Sequence, residues 1–306
     1  MSKNNQKTIR DNIELSGIGL HNGVEVNLKI KPSSQNSGII FKRTDIKKNN
    51  IIHANFKNVE EPILCTKLKN ANEVSISTVE HLMAAFYGEG IDNVLVEVDA
   101  PEIPIMDGSA VDFVDAIRSV GIEEQSEPRK FIKVLKKVEV QDGQKFISIE
   151  PLSNDLIIDF ELIYENPLIR KRRKEFKLSN GDLAAIYNSR TFCLYEDIDN
   201  IKKMGLAKGG SLDNAVVVQG DKILNEEGLR NRHEFVYHKI LDCLGDIMLS
   251  GNRIFGHIKT SQGGHALTNK LLRKFFSDSA NWSLEDFENM EKHNQNSYEN
   301  PLAISV

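Results

Sequence analysis

The sequence predicts an α+β fold of two similar domains, each a layered unit of β-sheet and helices. Segments with alternating or β-branched apolar residues are typical of half-buried strands, and they are frequent along the chain. Groups of such segments are followed by one or two helical patterns, and this order occurs twice, which favours α+β over a doubly wound βαβ sheet. A chain of 306 residues is long enough for two domains of ordinary size.

The first half contains the elements of one such layered unit. Strands are predicted at residues 24–30, 38–43 and 93–98, where apolar residues alternate with polar ones or are β-branched. Helices are predicted at residues 78–87 and 109–120, where apolar residues recur every three or four positions.

The second half repeats this order. Strands are predicted at residues 131–140, 145–151 and 156–164. Helical patterns follow at residues 181–186, 231–249 and 265–276.

A polar segment at residues 121–130 separates the two series and is the best candidate for a linker. We therefore expect an N-terminal domain at residues 1–125 and a C-terminal domain at residues 126–280. From about Ser277 the composition turns polar and loses its periodicity, so residues 281–306 are expected to form a loose tail.

Composition limits the possible partners and the compartment. The net charge of −5 gives no overall electrostatic reason to bind nucleic acid or an anionic membrane. The N-terminus lacks the apolar core of a secretory signal, and no apolar run is long enough to span a bilayer. Cys65, Cys193 and Cys243 are widely separated and indicate neither a disulfide framework nor a thiolate zinc site. We expect a cytoplasmic protein without an integral membrane segment.

A helical segment at residues 236–246, VYHKILDCLGD, carries polar side chains in a stripe on an otherwise apolar helix. His238 and Asp242 are four residues apart and share one face, as two metal ligands on one helix must. The alternative is an ion pair facing solvent. Because buried charges need partners, the apolar neighbours favour a divalent cation.

A catalytic metal site needs a third protein ligand, and His81 in the segment STVEHLMAAFYG is the candidate. Glu80, beside it, would act as the base that deprotonates water. Alternatively, Ser77 and Glu80 fit the capping-box pattern, in which Glu80 only closes on the Ser77 backbone. The sequence leaves both roles open.

The segment SQGGHALTNK places His265 at the start of a helix, after two glycines. The positive end of the helix dipole lowers the pKa of a histidine there, so a general acid would need an opposing anion. Asp246, two turns beyond His238, is the candidate anion. The alternative is an ordinary loop histidine near a glycine turn.

Six segments together resemble one family, the UDP-3-O-acyl-N-acetylglucosamine deacetylases (LpxC), which are zinc amidases of lipid A biosynthesis. The resemblance runs in order from about residue 8 to residue 276. The segments are SGIGLHNG (16–23), TVEHLMAA (78–85), SRTF (189–192), GLAKGGSLDNAVV (205–217), HKILDCLGD (238–246) and GGHALTNKLL (263–272).

The resemblance implies duplicated α+β domains with the active site at their interface, one Zn²⁺ or Fe²⁺ per chain, and a role for each matching residue. Zinc would be held by His81, His238 and Asp242. The catalytic residues would be Glu80 as general base, His265 as general acid, Asp246 as the partner of His265, and Thr191 at the oxyanion.

The resemblance also implies the substrate contacts. Lys239 would meet the phosphates, and Tyr164 would stack on the uracil ring. Residues 193–224 would form a strand-helix-strand insert that builds a hydrophobic passage for the acyl chain. The passage would be lined by Leu64, Phe192, Ile198, Ala207, Ser211, Ala215 and Val217. Without the resemblance, these apolar residues would be read as core packing.

The implied reaction is hydrolysis of the 2-N-acetyl group of UDP-3-O-(3-hydroxyacyl)-N-acetylglucosamine by a monomeric enzyme. Two rivals remain from the residues themselves. Two histidines and one carboxylate also form the facial triad of non-haem iron oxygenases, although those ligands normally come from barrel strands. The second rival is a lipid- or nucleotide-sugar-binding protein. Its metal would be purely structural, with the coordination closed by a fourth protein ligand such as His233.

Overall fold

The computed structural model describes residues 5–60 and 63–286. Within these residues the α-helices are α1 (Glu80–Glu89), α2 (Val111–Val120), α3 (Leu183–Tyr187), α4 (Ile198–Lys203), α5 (Glu234–Met248) and α6 (His265–Phe276). None of the described helices is long and apolar enough to cross a bilayer.

The strands of the first half are β1 (Asn5–Ile9), β2 (Ile13–Ile18), β3 (Glu25–Pro32), β4 (Ile39–Arg43), β5 (Ile51–His53), β6 (Leu68–Lys69), β7 (Ser75–Ile76), β8 (Val94–Val98) and β9 (Ile122–Pro128). Those of the second half are β10 (Lys130–Val134), β11 (Val138–Asp142), β12 (Lys145–Glu150), β13 (Leu156–Ile163), β14 (Lys171–Lys177), β15 (Phe192–Leu194), β16 (Val216–Gln219), β17 (Lys222–Ile223), β18 (Arg253–Ser261) and β19 (Trp282–Asp286).

The first half is built on a five-stranded sheet in the order β2-β3-β8-β4-β5. Alternation explains its core face: Val26, Leu28 and Ile30 on β3 are buried, and the residues between them are exposed or half-buried. The strands predicted around β3, β4 and β8 and the helices around α1 and α2 are all present. The prediction of an α+β fold is confirmed.

The second half is built on a seven-stranded sheet in which β18 pairs with β10, β12 and β13. The sequence reading missed this strand because His257 and Lys259 interrupt its apolar pattern. It also joined two strands into one: residues 131–140 form β10 and β11, with exposed Leu135 between them.

Two segments predicted to be irregular are strands. The candidate linker contains β9, which pairs antiparallel with β1, so the cut near residue 125 falls inside a strand. One of its polar side chains also forms tertiary hydrogen bonds: Gln125 accepts one from Asn93 and donates one to the Ser33 carbonyl. The start of the expected loose tail forms β19, which pairs with β10. The rest of that tail, residues 287–306, lies outside the described residues, and the division into two domains stays a prediction.

The central contact of the molecule is between α1 and α5. Residues 80–87 of α1 are all buried, and most of α5 is buried as well. A Cβ atom at Gly245 would lie 2.0 Å from the Glu80 carbonyl oxygen, so the helices touch here through their backbones. This crossing brings the first turn of α1 against the polar stripe of α5.

Replacing Gly245 with alanine should lower the free energy of unfolding by about 1–3 kcal/mol, because the new methyl group would overpack the helix crossing. Alanine is otherwise favoured over glycine in helices by about 1 kcal/mol, so the sign of the change identifies the contact as the cause. Urea unfolding followed by circular dichroism measures the effect. A Gly245→Ala protein as stable as the parent would contradict this account of the crossing.

Candidate metal centre and active site

The predicted catalytic residues come together where the first turns of α1 and α6 meet the middle of α5. Glu80 and His81 are the first two residues of α1, and His265 is the first residue of α6. His238 and Asp242 lie about one turn apart on α5 and therefore project from the same face.

Three of these side chains form a group suited to a metal ion. The ligand atoms of His81, His238 and Asp242 all lie within 4.8 Å of one another, and all three residues are buried. The Nε2 atoms of His81 and His238 lie 3.6 and 3.4 Å from the same oxygen, Asp242 Oδ1. Two imidazole nitrogens and a carboxylate oxygen directed at one point are ligands that catalytic zinc sites use. The donor set therefore fits a zinc ion or a similar divalent transition metal.

Hydrogen bonds to neighbouring groups orient His238 and Asp242 as metal ligands. His238 Nδ1 lies 3.0 Å from the Ser189 carbonyl oxygen. Because a carbonyl only accepts, Nδ1 carries the proton and Nε2 keeps its lone pair. Burial lowers the pKa of His238 to about 3, so the ring is neutral at physiological pH. Lys239 Nζ donates to Asp242 Oδ2 at 2.7 Å, which leaves Oδ1 facing the histidines.

The charge of Asp242 is also secured by its neighbours. Burial alone would favour the neutral acid, but neighbouring donors, among them the Lys239 ammonium that donates to Oδ2, hold the pKa of this carboxyl well below its usual range. Asp242 is therefore an ionised carboxylate.

Glu80 faces this group but does not belong to it. Its Oε2 accepts a hydrogen bond from the Thr66 backbone N–H at 3.0 Å, and its Oε1 lies 3.7 Å from His265 Nε2. Burial raises the pKa of Glu80 above its usual range, against the opposing effect of His265. The capping-box alternative is wrong: the residue before α1 is Val79, which makes no side-chain cap, and the Ser77 N–H bonds to the Pro101 carbonyl.

His265 is held by a carboxylate on each side. Its Nδ1 lies 2.8 Å from Asp246 Oδ2, and its Nε2 faces Glu80. Burial alone would lower the pKa of this ring, but Asp246 and then Glu80 outweigh burial and raise it to about 9. His265 is therefore protonated at neutral pH, as a general acid must be. The anion expected to oppose the helix dipole lies in contact with the ring.

These groups open into a cavity of about 370 Å³. Glu80, His81, His238, Asp242 and His265 all line it. The remaining predicted site residues on its wall are Leu64, Tyr164, Thr191, Phe192 and Lys239. The cavity can thus accept a polar ligand beside the metal group.

A second cavity of about 390 Å³ adjoins the first, since both are lined by Leu20, His21, Leu64, Thr191 and Phe192. Part of its wall comes from a strand-helix-strand segment, in which β15 and β16 pair in parallel and α4 lies between them. All seven residues expected to line an acyl passage lie on this wall: Leu64, Phe192, Ile198, Ala207, Ser211, Ala215 and Val217.

Sequence reasoning missed Leu20 and His21, which lie at the junction of the two cavities. His21 is buried, its Nε2 has no hydrogen-bond partner among the described residues, and its backbone N–H bonds to Glu102 at 2.8 Å. The segment SGIGLHNG was singled out, but nothing in its pattern shows that the loop folds back to the site. Thr66, which contacts two catalytic candidates, carried no sequence signal at all.

A second group of potential ligands lies on the sheet, at Asp159, Glu175 and His257. Here Asp159 is already paired with Arg173 through both carboxylate oxygens. Glu175 is exposed and His257 is only half-buried. This group is better explained as a charged sheet surface than as a metal centre.

Comparison with known proteins identifies the family of this chain. Residues 6–277 match the family model of LpxC, described as UDP-3-O-acyl N-acetylglycosamine deacetylase. A protein of Actinobacillus succinogenes named UDP-3-O-acyl-N-acetylglucosamine deacetylase is 44% identical over 290 residues, which cover 94% of this chain and 95% of the relative. A protein of Pasteurella multocida with the same name is 42% identical over 304 residues, or 98% and 99% of the two chains. The chain therefore belongs to the LpxC family of UDP-3-O-acyl-N-acetylglucosamine deacetylases.

Proposed function

We propose that this protein is a zinc-dependent deacetylase. It hydrolyses the 2-N-acetyl group of UDP-3-O-(3-hydroxyacyl)-N-acetylglucosamine to give UDP-3-O-(3-hydroxyacyl)-glucosamine and acetate, the committed step of lipid A biosynthesis. One observation carries the proposal: a two-histidine, one-carboxylate group shares a cavity with Glu80 and His265, and that cavity adjoins an apolar one.

His81, His238 and Asp242 would hold the metal. A bound Zn²⁺ would lower the pKa of a coordinated water and polarise the amide carbonyl. The donor set accommodates Fe²⁺ as well, so the metal loaded in the cell is a separate question from the chemistry of the ligands.

Two side chains of the protein then transfer the protons of the reaction. Glu80, with a raised pKa and no role as a helix cap, accepts the proton of the attacking water. His265, protonated at neutral pH, delivers a proton to the leaving nitrogen, which makes the amine a competent leaving group. Thr191 lies on the wall of both cavities, where its hydroxyl can donate to the developing oxyanion.

The same geometry supports the substrate assignments. Lys239 Nζ uses one of its three N–H donors on Asp242, so two remain for the phosphates. Tyr164 is 38% exposed and packs edge-on against Phe192, which leaves ring surface for stacking on uracil. The second cavity, with its mainly apolar wall, would take the 3-hydroxyacyl chain.

The decisive experiment measures acetate release from the acylated UDP-sugar by protein loaded with zinc, with and without a chelator. We expect release that the chelator abolishes and added zinc restores. Chelator-resistant release would contradict metal dependence, and no release from the loaded protein would contradict the function itself.

The two rivals make different predictions. An iron oxygenase would consume oxygen with Fe²⁺ loaded, which an oxygen electrode detects. A binding protein with a structural metal requires a fourth protein ligand. The candidate is His233, but its Nε2 instead accepts a hydrogen bond from Arg232 Nε, and its ring packs against Tyr237. Both observations favour an open coordination position.

Changing Asp246 to asparagine should move the alkaline limb of the kcat/KM–pH profile to lower pH. The Asp246 carboxylate favours the imidazolium form of His265, so its neutralisation lowers the pKa of His265 from about 9. The variant then loses its general acid at a lower pH than the parent. Rate measurements from neutral to alkaline pH test this, with Asp159→Asn as a control that removes a buried carboxylate that lines neither cavity. An unchanged alkaline limb in Asp246→Asn would remove Asp246 from this role.

The cellular context belongs to the same proposal. The partner would be a small-molecule acylated UDP-amino sugar and not a nucleic acid, the enzyme would act as a monomer, and the compartment would be the cytoplasm.

A further inference from the structure

Thr66 connects the two helices that carry the site. It lies shortly before β6 and is 1% exposed. Its backbone N–H donates to Glu80 Oε2 at 3.0 Å, and its carbonyl accepts from the Val79 N–H at 3.4 Å. Its side-chain hydroxyl donates to Asp246 Oδ1 at 2.6 Å. Thr66 is thus tied to the start of α1 by its backbone and to α5 by its side chain.

In both carboxylates, one oxygen is hydrogen-bonded to Thr66 and the other faces His265. Thr66 binds Glu80 Oε2 and leaves Oε1 facing His265 Nε2 at 3.7 Å. It binds Asp246 Oδ1 and leaves Oδ2 on His265 Nδ1 at 2.8 Å. One residue therefore orients both carboxylates that flank the His265 ring.

We propose that Thr66 is a positioning residue, which fixes Glu80 and Asp246 on opposite sides of the His265 ring. The inference rests on the proposed function, since it adds a residue to the acid and base machinery described there. The hydrogen bonds that the described residues make with Thr66 involve Glu80, Asp246 and Val79, and none of these three residues belongs to the metal-binding group.

The chemistry of the side chain suits this role. A hydroxyl that donates to a buried carboxylate makes a charge-assisted hydrogen bond, which is short and stronger than one between neutral groups. A β-branched side chain has few χ1 rotamers, so the hydroxyl is held in place at little entropic cost. Without the hydroxyl, Asp246 Oδ1 would lose the donor that fixes the carboxylate plane, and the contact of Oδ2 with His265 would loosen.

A purely structural role would come from the Thr66 methyl group, which lies in the same buried environment. Two substitutions separate the possibilities, because both keep the backbone N–H on Glu80. Thr66→Val keeps the shape and removes the hydroxyl. Thr66→Ser keeps the hydroxyl and removes the methyl group.

We expect Thr66→Val to lower kcat by roughly 10- to 100-fold, as loss of an outer-shell partner does, with KM within a few-fold of the parent. Thr66→Ser should keep kcat within a few-fold. Both proteins should retain the zinc content of the parent, since Thr66 is not a ligand. A Thr66→Val enzyme with full kcat, or a Thr66→Ser enzyme as impaired as Thr66→Val, would overturn the proposal.

Crystal structures of the zinc-loaded variants give a readout that does not depend on the substrate. The separation of His265 Nδ1 from Asp246 Oδ2 should stay near 2.8 Å in Thr66→Ser and lengthen in Thr66→Val. An unchanged separation in Thr66→Val would overturn the positioning role even if the parent enzyme proved inactive on the acylated UDP-sugar. A parent without activity, by contrast, would contradict the proposed function alone.

Discussion

Replacing Glu80 with glutamine should lower kcat by roughly 10²- to 10⁴-fold, the usual contribution of a general base. Glutamine has nearly the same shape, and its side-chain oxygen can still accept the Thr66 N–H. What it lacks is the ability to take a proton. Because Glu80 is not in the metal-binding group, the variant should keep its zinc and its fold. Steady-state acetate release, with zinc content measured on the same sample, tests the prediction.

His265→Ala is the companion variant, and it should show a loss of similar size because it removes the proposed proton donor to the leaving nitrogen. If Glu80 and His265 act in one reaction, as proposed, the double variant should be little slower than the worse single variant, because Glu80 Oε1 and His265 Nε2 are only 3.7 Å apart. Turnover within a few-fold of the parent in both single variants would show that the acid and base have been assigned to the wrong residues.

Replacing Asp242 with alanine should abolish tight zinc binding and, with it, activity. The carboxylate oxygen is the point at which both histidine Nε2 atoms are directed, so its loss removes one ligand and the only carboxylate in the group. For the parent, zinc at 100 times its Kd should raise the free energy of unfolding by about 2.7 kcal/mol. The free energy of unfolding of Asp242→Ala should rise far less when zinc is added. Thermal unfolding with and without zinc, and metal analysis after dialysis, measure both effects.

Asp159→Ala is the matched control, because Asp159 belongs to the second group of potential ligands. We expect it to bind the same amount of zinc as the parent and to show the same stabilisation. Equal zinc content in the parent and Asp242→Ala would place the metal elsewhere, and loss of zinc in Asp159→Ala would point to the sheet surface.

The elements with a clear apolar period were predictable from sequence, and those whose pattern is broken by polar residues were not. β18, which pairs with three other strands, was missed because His257 and Lys259 interrupt its apolar run. β9 was read as a linker because its side chains are mostly polar and exposed, while its backbone pairs with β1. Both strands form backbone hydrogen bonds to distant segments, and side-chain composition does not report such pairing.

For single residues of the site, too, local spacing was predictable from sequence and long-range contacts were not. The spacing of His238 and Asp242 on one helix predicted that they share a face, and in the structure they do. Whether Glu80 capped its own helix could not be decided locally, because the alternative partner, the Thr66 N–H, lies fourteen positions away. His21 reaches the cavities through a loop fixed by Glu102, a contact that spans 81 positions.

By itself, the sequence determined the α+β class from its local apolar patterns and the family from the resemblance of six segments, and that resemblance named the residues of the candidate centre. The tertiary structure alone decided how those residues are combined. Gly245 lets α1 and α5 touch through their backbones, which brings His81 to His238 and Asp242. Thr66 then divides the oxygens of Glu80 and Asp246 around His265. These contacts join segments far apart in the chain, and their geometry depends on packing, which no single segment encodes.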